Sequence, residues 1–250
     1  MDRYRFTTLA HASLDLLGPI DARSRDALLR EIKLAPTLNG RPTLLDVGCG
    51  KGGWLLPAMK QFGGKGIGIE PNPSFAATLR TQASLWGVAS DIQIEMCHAV
   101  RVNLMGGTID AAFCVGSTHA YGGYAATLKQ LARVLVPRGW AVIGEGFWRR
   151  KPDPDYLAFF GEDESMMLPL EETFALARDA GWRIAKHHES SQNEFDTYER
   201  TYAANMHFAI QARPDDPDTE AFHARITAHA DAYERWGRDT FGFVTMVLQH

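Results

Sequence analysis

The 250-residue sequence contains no long apolar run, and nothing approaches the ~18–20 consecutive apolar residues that a membrane-spanning helix needs. Its opening, Met1-Asp2-Arg3-Tyr4-Arg5-Phe6, lacks the apolar stretch and small-residue cleavage site of a secretory signal. Cysteine is scarce: Cys49, Cys97 and Cys114 are odd in number and form no C-x-x-C pair, which speaks against a disulfide framework and against a metal cluster. Positive charge is not in excess. The balance of 26 Lys+Arg against 30 Asp+Glu gives a net −4 and no basic field for a phosphate backbone. Internal repeats and low-complexity tracts are also absent. These absences point to a cytoplasmic protein without nucleic-acid, membrane or metal partners. What remains is an ordinary globular mixture, 45% hydrophobic and 22% charged, on a chain long enough to bury a core unaided.

Short apolar runs bounded by Gly, Pro or Asp predict strands at Thr43–Val47, Gly66–Glu70, Ile92–Cys97, Ala111–Val115 and Ala141–Gly144. Between them, Asn72 and Pro73 open a helix running toward Trp86. The Leu128, Leu131, Ala132 and Leu135 stripe makes another, ended by Pro137 and Gly139. Strands alternating with helices imply an α/β sandwich on a mainly parallel sheet. Ahead of it, residues 1–40 read as a helical cap of two helices, Leu9–Leu17 and Asp21–Leu34, split by Gly18-Pro19. Behind it come a Pro-rich loop (Lys151 to Asp155), a helix Leu170–Ala180, a strand around Trp182–His187 and a helical insert over 192–237. An apolar strand then lies within 240–250. The insert is too long for a hairpin loop and reads as a lid. The whole, 1–250, is taken as one domain with a ligand-binding core at 41–150.

The most informative stretch runs from Leu44 through Gly48-x-Gly50-x-x-Gly53, a strand entering a glycine turn and then a helix. Glycine suits a tight turn that a ligand must approach closely. Glu70 ends the next strand, where a carboxylate can take both hydroxyls of a ribose. The turn alone would serve a pyrophosphate dinucleotide equally well. Asp46, two residues before Gly48, separates the readings: a carboxylate there repels pyrophosphate and suits a cationic nucleoside. S-adenosylmethionine, with its ammonium, sulfonium and ribose, fits both acids.

Here the chain resembles the Rossmann-like, or class I, S-adenosylmethionine-dependent methyltransferases, in a bacterial small-molecule branch. Leu45-Asp-Val-Gly-Cys-Gly-Lys-Gly, Gly66-Ile-Gly-Ile-Glu-Pro, Ile109-Asp-Ala-Ala-Phe-Cys-Val-Gly-Ser and Leu131-Ala-Arg-Val-Leu-Val-Pro-Arg-Gly-Trp match four family motifs in order, over roughly 40–148. The resemblance implies a seven-stranded sheet whose last strand is antiparallel. It also implies cofactor contacts from Asp46, Gly48, Cys49, Gly50, Glu70, Pro71, His98, Ala99 and Gly116. The chain departs from the family at Cys97-His98-Ala99, where Gly-Asp-Ala is usual and the Asp accepts the adenine amino group. Pro57, early in the helix after the glycine turn, costs a backbone donor unless it lies in the first turn.

Chemistry is expected beyond the carboxyl ends of the strands, near Gly116–Gly123 and Glu145–Trp148. His119 is the first candidate catalytic residue, to accept a proton or orient the acceptor, with a loop hydrogen bond as the plain alternative. Glu145 is the second, holding a substrate amine or pairing with Arg149. Tyr121 and Trp148 wall an acceptor pocket or pack in the core. Tyr198 and Tyr202 line it from the lid, or belong to a stripe facing Phe222, Ile226 and Tyr233. His11 reaches the site only if the first helix folds over it, and it is read as structural. From Gln192 onward ten acidic residues face five basic ones, which disfavours anionic acceptors. The expected activity is methyl transfer to a nitrogen, oxygen or sulfur of a small neutral or cationic molecule. A nicotinamide-dependent oxidoreductase using the same turn, or a non-catalytic binder of the nucleoside, are the alternatives.

Overall fold

A computed structural model of the chain describes residues 4–36 and 40–250; part of the expected 1–40 cap therefore lies outside the described residues. The strands are β1 (Thr43–Val47), β2 (Lys65–Ile69), β3 (Ile92–Glu95), β4 (Ile109–Val115), β5 (Leu135–Trp148), β6 (Leu168–Pro169), β7 (Arg183–Glu189) and β8 (Phe241–Gln249). The helices are α1 (Arg5–Ala10), α2 (Ala22–Leu29), α3 (Leu55–Phe62), α4 (Pro73–Leu85) and α5 (Tyr124–Val134), then α6 (Pro154–Phe160), α7 (Leu170–Asp179), α8 (Gln192–Gln211) and α9 (Thr219–Ala232). The sheet runs β3-β2-β1-β4-β5-β8-β7, with β6 adding two residues beside the end of β5. β1 to β5 are parallel, and β8 is antiparallel to both β5 and β7. The expected architecture is therefore present, with β6 as an addition.

Alternating side chains divide the core in two. On one face Ala112, Cys114, Ile143 and Met246 pack under α5 and α7 through Leu128, Leu131 and Phe174. On the other, Leu44, Phe113, Val142 and Val247 pack under α2 and α3 through Leu28, Leu29, Leu55 and Met59. A separate small core joins α1 to the α8–α9 pair through Phe6, Met206, Phe222 and Ile226.

Several boundaries differ from expectation, each for a local reason. The first helix is Arg5–Ala10 rather than Leu9–Leu17. The Lys51 ammonium takes the carbonyls of His11 (2.9 Å) and Ala12 (3.1 Å), which a continuing helix would offer to Asp15 and Leu16. Asp21 caps the second helix, which stops at Leu29 so that Ile32 can turn into the core and the Lys33 carbonyl can accept the Trp140 indole N–H at 3.0 Å. Leu135 begins β5 instead of ending α5, and Pro137 and Gly139 sit in an irregularity of that strand where Arg138 has φ +63°. The Pro-rich loop contains α6: Asp153 caps it by accepting from the Asp155 amide, and Pro154 occupies its first turn. Pro57 likewise falls in the first turn of α3, where its missing N–H costs nothing.

Candidate active site

The strand order reverses between β1 and β4, and ligands of open parallel sheets bind there, beyond the carboxyl ends of the strands. A cleft of about 710 Å³ occupies that place. Its floor is the glycine turn. Gly48 (φ +70°) and Gly50 (φ +54°) take left-handed conformations that a side chain would strain, and a Cβ on Gly48 would collide with the Ser117 hydroxyl. Glu70 rises beside the turn, its two oxygens accepting the amides of Gly50 and Asn72, each at 2.8 Å. Those bonds fix the carboxylate and leave a lone pair on each oxygen for a ligand. Burial raises its pKa despite both amides.

Asp46 lies deeper, at the end of β1. One of its oxygens is buried with no hydrogen-bond partner, while the Leu55 amide donates to the carboxylate. Burial first, and the neighbouring Glu70 second, push the Asp46 carboxyl up to about 8. Among the described residues that line the cleft, Asp15, Asp46 and Glu70 are acidic and none is Lys or Arg. The unbonded Asp46 oxygen and the cation-free wall fit a ligand carrying positive charge. Pyrophosphate would meet two buried carboxyls and no cation.

All nine expected cofactor residues, Asp46, Gly48, Cys49, Gly50, Glu70, Pro71, His98, Ala99 and Gly116, line this one cleft, as do His119 and Tyr121. His119 is exposed, and its ring makes no hydrogen bond among the described residues, so its plain alternative, a loop bond, is absent. His98 and Ala99 open a short 3-10 turn after β3, and the His98 ring is exposed at the rim. Cys49 is buried and its thiol is pushed well up, which leaves it unreactive.

The other four candidates lie off the cleft. Trp148 is buried against Tyr156, its indole N–H donating to the Glu164 carbonyl at 2.8 Å. Glu145 sits behind the turn that carries His119. Thr118 of that turn hydrogen-bonds one carboxyl oxygen, the other is buried without a partner, and burial raises the group to about 7. It makes no pair with Arg149, which is bound to the Phe241 and Ser190 carbonyls. Tyr198 and Tyr202 stand one layer back, because α1 lies between the α8–α9 pair and the cleft.

α1 is the part that sequence reasoning missed. Tyr4, Thr7 and His11 line the cleft, and His11 is buried rather than a distant structural residue. Its Nδ1–H donates to the Thr7 carbonyl (2.8 Å), so Nε2 accepts from the Tyr198 hydroxyl (3.0 Å). Burial lowers its pKa, consistent with a neutral ring. Arg5 of α1 pairs with Asp216 and Asp218, which lie just ahead of α9.

Residues 44–139 match the profile of a family described as a methyltransferase domain. Along 98% of this chain and 97% of the other, the fold superposes on an S-adenosylmethionine-dependent methyltransferase from Geobacter sulfurreducens, solved with S-adenosyl-L-homocysteine, at TM-score 0.88 and 27% identity. A methyltransferase from Thiobacillus denitrificans, solved with the same ligand, superposes at 0.87 and 25% identity over 99% of both chains. The uncharacterized protein YjhP of Escherichia coli is 26% identical over 254 residues, 99% of each chain. Motif, fold and cleft agree: residues 44–139 carry a methyltransferase domain, on the fold of S-adenosylmethionine-dependent methyltransferases.

Proposed function

We propose that the protein, acting as one domain in the cytoplasm, methylates a nitrogen, oxygen or sulfur atom of a small neutral or cationic molecule. The observation that carries this reading is the covered, cation-free cleft, whose volume of about 710 Å³ suits a nucleoside cofactor together with a small acceptor. When bound, S-adenosylmethionine supplies a methyl group already activated on sulfur. The protein's work is alignment and exclusion of water. Glu70 holds the ribose hydroxyls, Asp46 faces the ammonium, and His98 with Ala99 border the adenine. His119, with a free ring at the mouth, takes the acceptor's proton or holds the acceptor in line. Acidic charge around α8 and α9 disfavours a nucleic-acid or phospholipid acceptor.

The test is transfer of a labelled methyl group from S-adenosylmethionine into a whole-cell extract that retains metabolites, RNA and protein, followed by identification of the labelled product. A labelled small molecule is expected; label appearing only in RNA or protein overturns the acceptor class. With the true acceptor, His119→Ala lowers turnover by about 10²–10⁴-fold if the ring is a general base, while affinity for S-adenosylhomocysteine stays unchanged. Unchanged turnover removes His119 from the chemistry.

A further inference from the structure

The glycine turn has a second surface. A Cβ on Gly53 would lie 2.5 Å from the Asp15 carbonyl oxygen, and one on Gly50 would lie 2.5 Å from the Leu17 side chain. These two glycines of the motif thus admit the chain's own residues 15–17 as closely as they would admit a ligand. Between them Lys51 reaches out to the carbonyls of His11 and Ala12, at 2.9 and 3.1 Å. Among the described residues, no backbone–backbone hydrogen bond involves Asp15, Leu16 or Leu17. That stretch is held by the turn it lies on and by the buried Leu16 side chain, not by secondary structure of its own. Its inner side faces the cofactor cleft. Its outer side faces a second groove of about 870 Å³, and Asp15, Leu16, Gly18 and Ile20 border both. Withdrawing this one strap would merge the two spaces.

Resting on the cofactor reading above, we infer that Lys51, Gly50 and Gly53 dock residues 11–17 as a cover over the bound nucleoside, making Lys51 a positioning residue that governs how long the cofactor stays. Lys51 moors the cover on the side of the glycine turn. On the far side the Asn205 amide donates to the Ala10 carbonyl at 3.0 Å and accepts from the Ser13 hydroxyl at 2.9 Å, and Arg5 of α1 pairs with Asp216 and Asp218. Segments with few backbone bonds open at low free-energy cost, so release follows opening of the cover rather than unfolding of the sheet.

The experiment measures S-adenosylhomocysteine dissociation by stopped flow, together with hydrogen exchange of residues 5–20, in the full chain. Lys51→Met is expected to speed dissociation about tenfold, leave association equal or faster, and remove the protection that ligand binding gives residues 11–20. Arg5→Leu, which touches neither the turn nor the ligand, is expected to move both readouts the same way. Wild-type dissociation and exchange in both variants overturn the cover. Glu70→Gln is the reference: it should weaken binding with protection of 5–20 retained in the bound state. If Glu70→Gln binds as tightly as wild type, the cofactor reading fails, and this proposal with it.

Discussion

At the scale of single residues, the carboxyl of Asp46 carries the most testable consequence. Its pKa in the folded, ligand-free protein is about 8, raised from 3.8 by burial and by Glu70. The folded state therefore holds this proton more tightly than the unfolded state. The stability it contributes is complete below pH 4 and is lost as the pH rises through 8. Asp46→Asn removes that dependence, so urea titrations at pH 8.5 should find the ligand-free variant more stable than the parent by about 1–3 kcal/mol. The same variant should bind S-adenosylmethionine more weakly. The proton released on binding near pH 7, read by calorimetry in two buffers of different ionisation enthalpy, should vanish with it. Glu70→Ala should weaken S-adenosylhomocysteine binding by about 1.5–3 kcal/mol in the same calorimeter, through loss of paired hydrogen bonds. Both acids were legible in the sequence because a strand end and a glycine turn fix their positions locally. His11 was not, since its place depends on where α1 lands. Glu145 and Trp148 were misplaced for a different reason: a strand end projects side chains to both faces, and only the packing of α5 and α6 decides which of them stay behind the cleft.

At the scale of elements, the start of α8 concentrates several contacts in one carboxylate. Ser191 and Glu194 form a capping box, and Glu194 also accepts the Asp21 amide at 3.1 Å and meets His188 at 3.0 Å. Ser191→Ala should cost about 1 kcal/mol, as a lost cap does. Glu194→Ala should cost more, because it leaves the Ser191 and Asp21 amides and His188 short of a partner together. Equilibrium urea unfolding of the two variants checks the order. The box was present in the sequence as Ser191-x-x-Glu194, whereas its tie to α2 was not, since Asp21 is distant in sequence. α1 shows the same limit in reverse. Leu14, Leu16 and Leu17 continue an apolar pattern past Ala10, but a lysine forty residues away takes the carbonyls on which the next turn depends.

At the scale of the whole molecule, ligand binding is linked to folding. S-adenosylhomocysteine at a hundred times its dissociation constant should add about 2.7 kcal/mol to the unfolding free energy, and less to Glu70→Ala at the same concentration, in step with the logarithm of its weaker affinity. Thermal scans across a ligand series measure it. The sheet was the most legible feature of all, because alternating strands and helices admit few parallel topologies. The irregularity at 137–139 and the two-residue β6 were not legible, since both depend on pairing partners rather than on local pattern.

The position of β8 has a bearing on biosynthesis. It fills the gap between β5 and β7, and among the described residues β7 pairs with no other strand, yet it is made after all the other strands of the sheet. Until residues 241–249 leave the ribosome, the nascent chain holds a half-built sheet whose β5 edge is apolar and unpaired, a template for association with other chains. A chain stopped after Thr240 should accumulate in the insoluble fraction on expression, and adding a peptide of residues 241–250 in trans during refolding should recover soluble protein.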